Sequence, residues 1–421
     1  MRKLFRAERV ITGRGEVIEH AAVLVDNSLI VAVARQADMA EPDGTEIVDA
    51  PRGATMMPGL IDAHVHLAFS GGPASGSLLP ERLDLSYPAI ALRAAANAQA
   101  SLVHGFTALR DMHAPGGIII DLRDSMARGE ILGPRISACG RGLTVTGGHM
   151  DPSGVADHVS FENATLSCDG PDAFLRGVRT EARRGADFIK LNTAVGSRKQ
   201  PGIYWRPEMR PDEIRVACDE AHAQGLYVAS HTSGGPPLTA TVANGVDCVE
   251  HAHWIDDDCI ELMAERGTFL VPTLLVNERN FEVTPKPGQV HSDWALASRD
   301  AKWVSLEKAR KAGIRIGAGT DAGFMIPHGT MHWRELALLV QGGFSPLEAI
   351  EAATRVNAEL MGLNSGVIET GRFADFVVVD GDPLADLSVL ADTTRLTVYM
   401  NGVEVARGGQ LTWRPPVMAP Y

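Results

Sequence analysis

The five cysteines, Cys139, Cys168, Cys218, Cys248 and Cys259, stand singly, without the close pairs of a zinc cluster and too sparse for a disulfide scaffold. They read as reduced residues of an ordinary interior. Also missing is a basic tract: the 39 lysines and arginines face 52 acidic residues, and the net charge is -13. With nothing to replace phosphate counterions, nucleic acid is not an expected partner. No apolar run reaches the roughly 20 residues of a membrane span, and the N-terminal MRKLFRAERVITGRGE lacks the unbroken apolar stretch of a signal peptide. A cytoplasmic location without membrane contact is therefore expected. Neither a tandem repeat of fixed period nor a low-complexity segment is found.

What is present is an ordinary globular composition, 45% hydrophobic and 22% charged, over 421 residues. That length exceeds the usual limit of one core, which predicts a large domain and a smaller one. Short β-type runs at Leu4 to Ile11, Ala22 to Val25 and Leu29 to Val33 are separated by polar turns, and a similar pattern returns in FADFVVVDGDP (373–383) and LTVYMNGVEVARGG (396–409). Asn401-Gly402 is a strong hairpin signal. The two ends are expected to build one composite β-sandwich from residues 1–57 and 364–421.

Between them, strand-like runs alternate with helix-like ones, the pattern of a parallel sheet. The strands are expected at Gly59 to His66, Thr107 to Asp111, Arg135 to Cys139, Phe188 to Asn192, Tyr227 to His231, Cys248 to His251, Phe269 to Thr273 and Ile314 to Asp321. Eight such units predict an α/β fold, a (β/α)8 TIM barrel over residues 58–363.

Barrel chemistry collects at the C-terminal ends of strands, and polar residues recur there. His64 and His66 close the first strand; two apart, they point to one face and can share a cation. Lys190 ends the fourth strand, His231 the fifth, His251 the sixth and Asp321 the eighth. Taken singly, each has an ordinary reading: a satisfied polar histidine, a snorkelling lysine, a helix-capping aspartate. Joint occurrence at the ends of five strands points instead to a metal centre.

PGLIDAHVHL, the Lys190 strand DFIKLN, the later histidines in SHTSG and VDCVEHAHWID, and GTDAG resemble the amidohydrolase superfamily over nearly the whole chain. TGGHMD and VPTL further resemble the branch that includes imidazolonepropionase-like enzymes, Xaa-Pro dipeptidases and ochratoxin-type amidases. The resemblance implies two divalent cations, zinc by preference with manganese, cobalt or iron as substitutes, and a carbamate on Lys190 between them. By the same resemblance His64, His66 and Asp321 complete one ion's shell, and His231 and His251 the other's. Shared hydroxide would then attack an amide carbonyl while Asp321 moves the proton. His149 and Tyr204 match positions that touch substrate or the developing oxyanion, and His253 is read as pocket wall beside the ligand His251. Glu250, alternating with His251 along the strand, is expected to face away from it and support the barrel.

The expected substrate is a small-molecule amide: a dipeptide, an N-acyl amino acid or a xenobiotic amide. Arg198, Lys199 or Arg206 would pair with its carboxylate, and Trp205, Phe324, Met325 and Trp333 would supply an apolar wall. A homo-oligomer is expected. Competing readings are a mononuclear cyclic-amide hydrolase or deaminase, which Lys190 argues against, a lactonase or phosphotriesterase on the same ligands, and a non-catalytic scaffold, which should show gaps in the constellation.

Overall fold

A computed structural model of the chain describes residues 2–72, 84–151, 156, 158, 159, 161–195, 204–283 and 290–412. The N-terminal strands β1 (Arg2–Ile11), β2 (Val17–Asp26) and β3 (Leu29–Arg35) form an antiparallel meander, and β1 also takes β4 (Glu46–Asp49) and β5 (Thr55–Pro58) in parallel. β5 pairs antiparallel with β16 (Phe376–Val379), which continues through β17 (Leu396–Met400), β18 (Val403–Arg407) and β19 (Gln410–Leu411). Both chain ends therefore lie in one nine-stranded sheet. Period-two patterning sends neighbours to opposite sides: Phe5 packs edge-on against Phe376 at 4.8 Å and Tyr399 at 5.1 Å, while Leu4 joins a separate cluster with Ala22 and Leu24. Asn401 and Gly402 both have positive φ, as the predicted hairpin requires.

Parallel sheets fill the middle of the chain. β6 (Leu60–Val65), β7 (Phe106–Asp111) and β8 (Arg135–Ala138) form one. The other runs from β10 (Thr165–Ser167) through β9 (Gly142–Thr144), β11 (Phe188–Val195), β13 (Tyr227–Gly234) and β14 (Cys248–Trp254) to β15 (Phe269–Val271), with β12 (Arg206–Pro207) antiparallel on β11. Helices such as Pro171–Arg184, Pro211–Ala223 and Asp257–Arg266 connect these strands, two of them opening on a proline whose missing N–H costs nothing there. Among the described residues no helix is long and apolar enough to cross a membrane.

Seven of the expected strands fall on β6, β7, β8, β11, β13, β14 and β15. The eighth, Ile314 to Asp321, does not form a regular strand but makes bridges to both sides, Ile316 with Leu270 and Ala322 with Val65. Gly317 N donates to Leu270 O at 2.9 Å and Ala63 N to Ala318 O at 3.0 Å. Neighbouring side chains approach this segment closely, as only glycine allows. A Cβ on Gly317 would stand 2.2 Å from Asn357 Oδ1, and one on Gly319 would stand 2.5 Å from Val271 Cγ1. Asn357 Nδ2 donates to both Ile61 O at 2.7 Å and Ala318 O at 2.8 Å, substituting for ladder bonds.

Arg135, at the start of β8, ties the parallel sheet to the terminal one. Its guanidinium meets Asp375 at 2.7 and 3.2 Å and Asn401 Oδ1 at 2.7 Å, and lies over the Phe373 ring. Buried Asp375 also accepts from Asn401 N at 2.8 Å. Asp375→Asn keeps the shape but removes the charge, so stability should fall by about 1.5–3 kcal/mol, the usual worth of a charged hydrogen bond. A urea midpoint equal to that of the unaltered chain, at matched metal content, would remove this tie from the account.

Candidate functional site

The strands bring histidines into a row, with His64 near the end of β6, His66 just past it, and His231 and His251 inside β13 and β14, which run further than expected. Starting from His66, ring centres run to His64 at 5.3 Å, on to His251 at 4.9 Å, to His231 at 4.5 Å and to His149 at 3.9 Å, where the two rings stack. As the spacing predicts, His64 and His66 share a face. Asp321 Oδ1 approaches His66 Nε2 at 3.1 Å and His64 Nε2 at 3.5 Å, yet it has no aligned hydrogen bond among the described residues. One ligand atom from each of these three residues lies within 4.8 Å of the others, close enough to share a cation.

Electrostatics suit that use. Burial pushes the His66 imidazole down to about 4 and lowers His64, His231 and His251 in the same direction, so these rings are neutral and keep a lone pair near pH 7. Burial alone would raise Asp321, but His64, His66 and Lys190 hold its carboxyl down to about 2. Lys190 is fully buried on β11, its Nζ has no hydrogen-bond partner among the described residues, and burial lowers its pKa. A buried amine without a partner is costly and is the form of lysine that reacts as a nucleophile.

The other expected residues divide. Tyr204 stacks on Trp254 at 5.2 Å in an aromatic group that also holds Trp205 and Trp294. His253 is buried against Trp294 at 5.1 Å, its ring centre 6.3 Å from that of His251. Phe324 meets His66 edge-on at 4.5 Å. Arg206 is exposed and pairs with Glu208 at 3.1 Å, while Glu208 also accepts from His149 N at 2.7 Å. Arg198 and Lys199 lie outside the described residues.

Glu250 departs from its expected place. Strict alternation would turn it away from His251 and from the site, yet its Oε2 accepts from His64 Nδ1 at 2.7 Å and its Oε1 binds Arg110 at 2.6 Å. The backbone explains this: His251 and Ala252 adopt φ of 69° and 45°, which breaks the alternation and lets Glu250 and His251 both approach His64. Because the Glu250 carboxyl is held at about 2, with burial opposed by Arg110 and His64, it only accepts, and His64 must present its Nε2 lone pair to Asp321. A glutamate inside the apolar run DCVEHAHW and an arginine inside FTALRD were the available signals, since buried charges need partners. His113, stacked on His66 at 5.2 Å, and Asn192, 3.4 Å from it, carried no such signal.

Comparison with known proteins agrees with this geometry. An ochratoxinase from Aspergillus niger is 28% identical over 419 residues, covering 95% of this chain and 85% of that protein. The crystal structure of a Xaa-Pro dipeptidase with bound methionine in its active site superposes with a TM-score of 0.85 at 28% identity, over 96% of this chain and 99% of the other. A prolidase complexed with N-methylphosphonate-L-proline superposes with a TM-score of 0.83 at 30% identity, over 97% and 100%. These are the relatives expected of the branch that the motifs resemble, and the fold neighbours are of TIM-barrel type with mixed α/β content. The amidohydrolase family model matches residues 55–405, and the chain, a hydrolase, belongs to the amidohydrolase family.

Proposed function

We propose that this hydrolase cleaves an amide or peptide bond of a small molecule at a pair of divalent cations. His64, His66 and Asp321 would hold one, His231 and His251 the other, and a carbamate on Lys190 would serve both. The observation that carries this reading is the pairing of unsatisfied atoms: Lys190 Nζ and Asp321 Oδ1, both buried, face a row of neutral histidines. Such a site is expensive without a cation. Carbon dioxide adding to the neutral amine replaces a lone donor by two acceptor oxygens, with release of one proton. Nitrogen and oxygen donors favour zinc.

Cations of this kind, when bound, polarise a carbonyl oxygen and lower the pKa of water towards ~7. The chain's own residues do the rest. Asp321 takes the proton of the attacking water on its carboxylate and returns it to the leaving nitrogen. His149, stacked on His231, and Tyr204, stacked on Trp254, would touch a substrate or its developing oxyanion, and His253, beside His251, would form part of the pocket wall. Arg206, or Arg198, would receive a substrate carboxylate. We further read the 314–322 segment, bridged to β15 and β6, as closing the parallel strands into a (β/α)8 barrel of residues 58–363, with 1–57 and 364–421 as its composite β-sandwich. The relatives named ochratoxinase, prolidase and Xaa-Pro dipeptidase support amide or peptide substrates.

Elemental analysis of protein made with zinc and bicarbonate should find about two ions per chain; one or none would sink the binuclear reading. Lys190→Ala should lose at least one of them, with partial recovery of activity by short carboxylic acids. Asp321→Asn should keep the fold, seen by circular dichroism, and lose roughly 10²- to 10⁴-fold in kcat, the usual worth of a proton-transfer group. Near-normal turnover at unchanged metal content would assign the proton shuttle elsewhere. A panel of N-acyl amino acids and dipeptides should contain substrates, and amidating their carboxylate should lower kcat/KM by about one to two powers of ten, as loss of a charged hydrogen bond does. Equal turnover of acid and amide would leave selectivity to the aromatic walls.

A further inference from the structure

His251 has an unusual neighbour. Thr273 follows β15 at φ 51°, a left-handed conformation that a β-branched residue adopts only when its surroundings force it. Two anchors do so. Lys302, on the helix Val290–Lys311, donates from Nζ to Pro272 O at 2.6 Å and Thr273 O at 3.3 Å, and is itself buried. Glu335, buried at the start of the helix Trp333–Gln341, accepts from Leu274 N at 2.9 Å and Leu275 N at 2.6 Å, the first amides of the helix Leu274–Val283. Thr273 is thereby clamped on both sides of its own peptide units.

The clamp aims the Thr273 hydroxyl. Oγ1 lies 2.7 Å from His251 Nδ1 and donates its single proton to Pro272 O, also at 2.7 Å. With that proton committed, Oγ1 can only accept from the imidazole. This arrangement satisfies both contacts, whereas donation to Nδ1 would satisfy one. We infer that Thr273, held by Lys302, is a positioning residue that fixes His251 as its Nδ1–H tautomer and leaves the Nε2 lone pair for a cation. His64 is held in the same sense by Glu250. A neutral hydroxyl thus does for one histidine what a carboxylate does for the other, a common arrangement behind metal-binding histidines.

The inference rests on the binuclear reading for its consequence but not for its test. In the metal-free unaltered chain, long-range proton–nitrogen spectra with nitrogen-labelled histidine, assigned through His251→Gln, should show the His251 proton on Nδ1. A proton on Nε2 would overturn the assignment whether or not cations bind. Thr273→Val keeps the volume, the branching and the backbone strain but removes the acceptor, and should weaken zinc binding 10- to 100-fold in competition with a chromophoric chelator. Thr273→Ser restores the hydroxyl and should restore affinity to within a few fold, with metal-free melting temperatures that do not follow the same order. Zinc bound by the valine variant as tightly as by the unaltered chain, or lost equally from the serine variant, would also overturn it. A failure of the unaltered chain to bind two ions would count against the binuclear reading alone, and should the valine variant not fold, the spectra and the serine variant still decide.

Discussion

Glu250 carries its charge in the centre of the molecule with no solvent contact, and Arg110, equally buried, meets it at 2.6 Å. Neither group could stay ionised there alone, because desolvating a single charge costs several kcal/mol. Each is the condition of the other's burial. Together they fix three strands: Arg110 comes from β7 and also donates to Ala63 O on β6, while Glu250 comes from β14 and holds His64. The pair therefore links the two parallel sheets at the level where the ligand-type residues emerge.

Around that link the backbone leaves regular geometry. His251, Thr273 and Asp321 have φ of 69°, 51° and 61°, all left-handed, the first inside β14, the second just after β15 and the third at the end of the 314–321 segment. Such conformations cost of order 1–3 kcal/mol each and persist where surrounding contacts over-determine them. Here the contacts are visible: Lys302 and Glu335 around Thr273, and the close approach of Gly323 to His66 beside Asp321, where a Cβ would stand 2.5 Å from a carbonyl oxygen. The strain is the means by which side chains that would alternate between faces are all turned inward.

The histidine pair, the single histidines, Lys190 and Asp321 were legible because each ends an apolar run, and period-two geometry is local enough to be read from spacing. The terminal hairpin at Asn401-Gly402 was legible for the same reason, since its residues dictate its turn. The eighth strand was legible as a segment but not as an irregular one. Its crowding by Asn357, Val271 and His64 involves residues distant in the chain, and nothing in IGAGTDAG names those partners.

Glu250 marks the boundary between the two kinds of knowledge. Its identity as a charge in an apolar strand was in the sequence, and so was the requirement that it find a partner. Alternation then placed it on the wrong side, because the left-handed turn at His251 is imposed by packing and not by the residue type. The same holds for Thr273 and Lys302, ordinary residues until the 290–311 helix lays the amine across two carbonyls. Residue types and local period determined which groups chemistry could use and on which strands they stand. Only the tertiary structure decided which nitrogen His64 and His251 present, because a tautomer is set by the hydrogen bond at the ring's other nitrogen, and that partner comes from a different part of the chain.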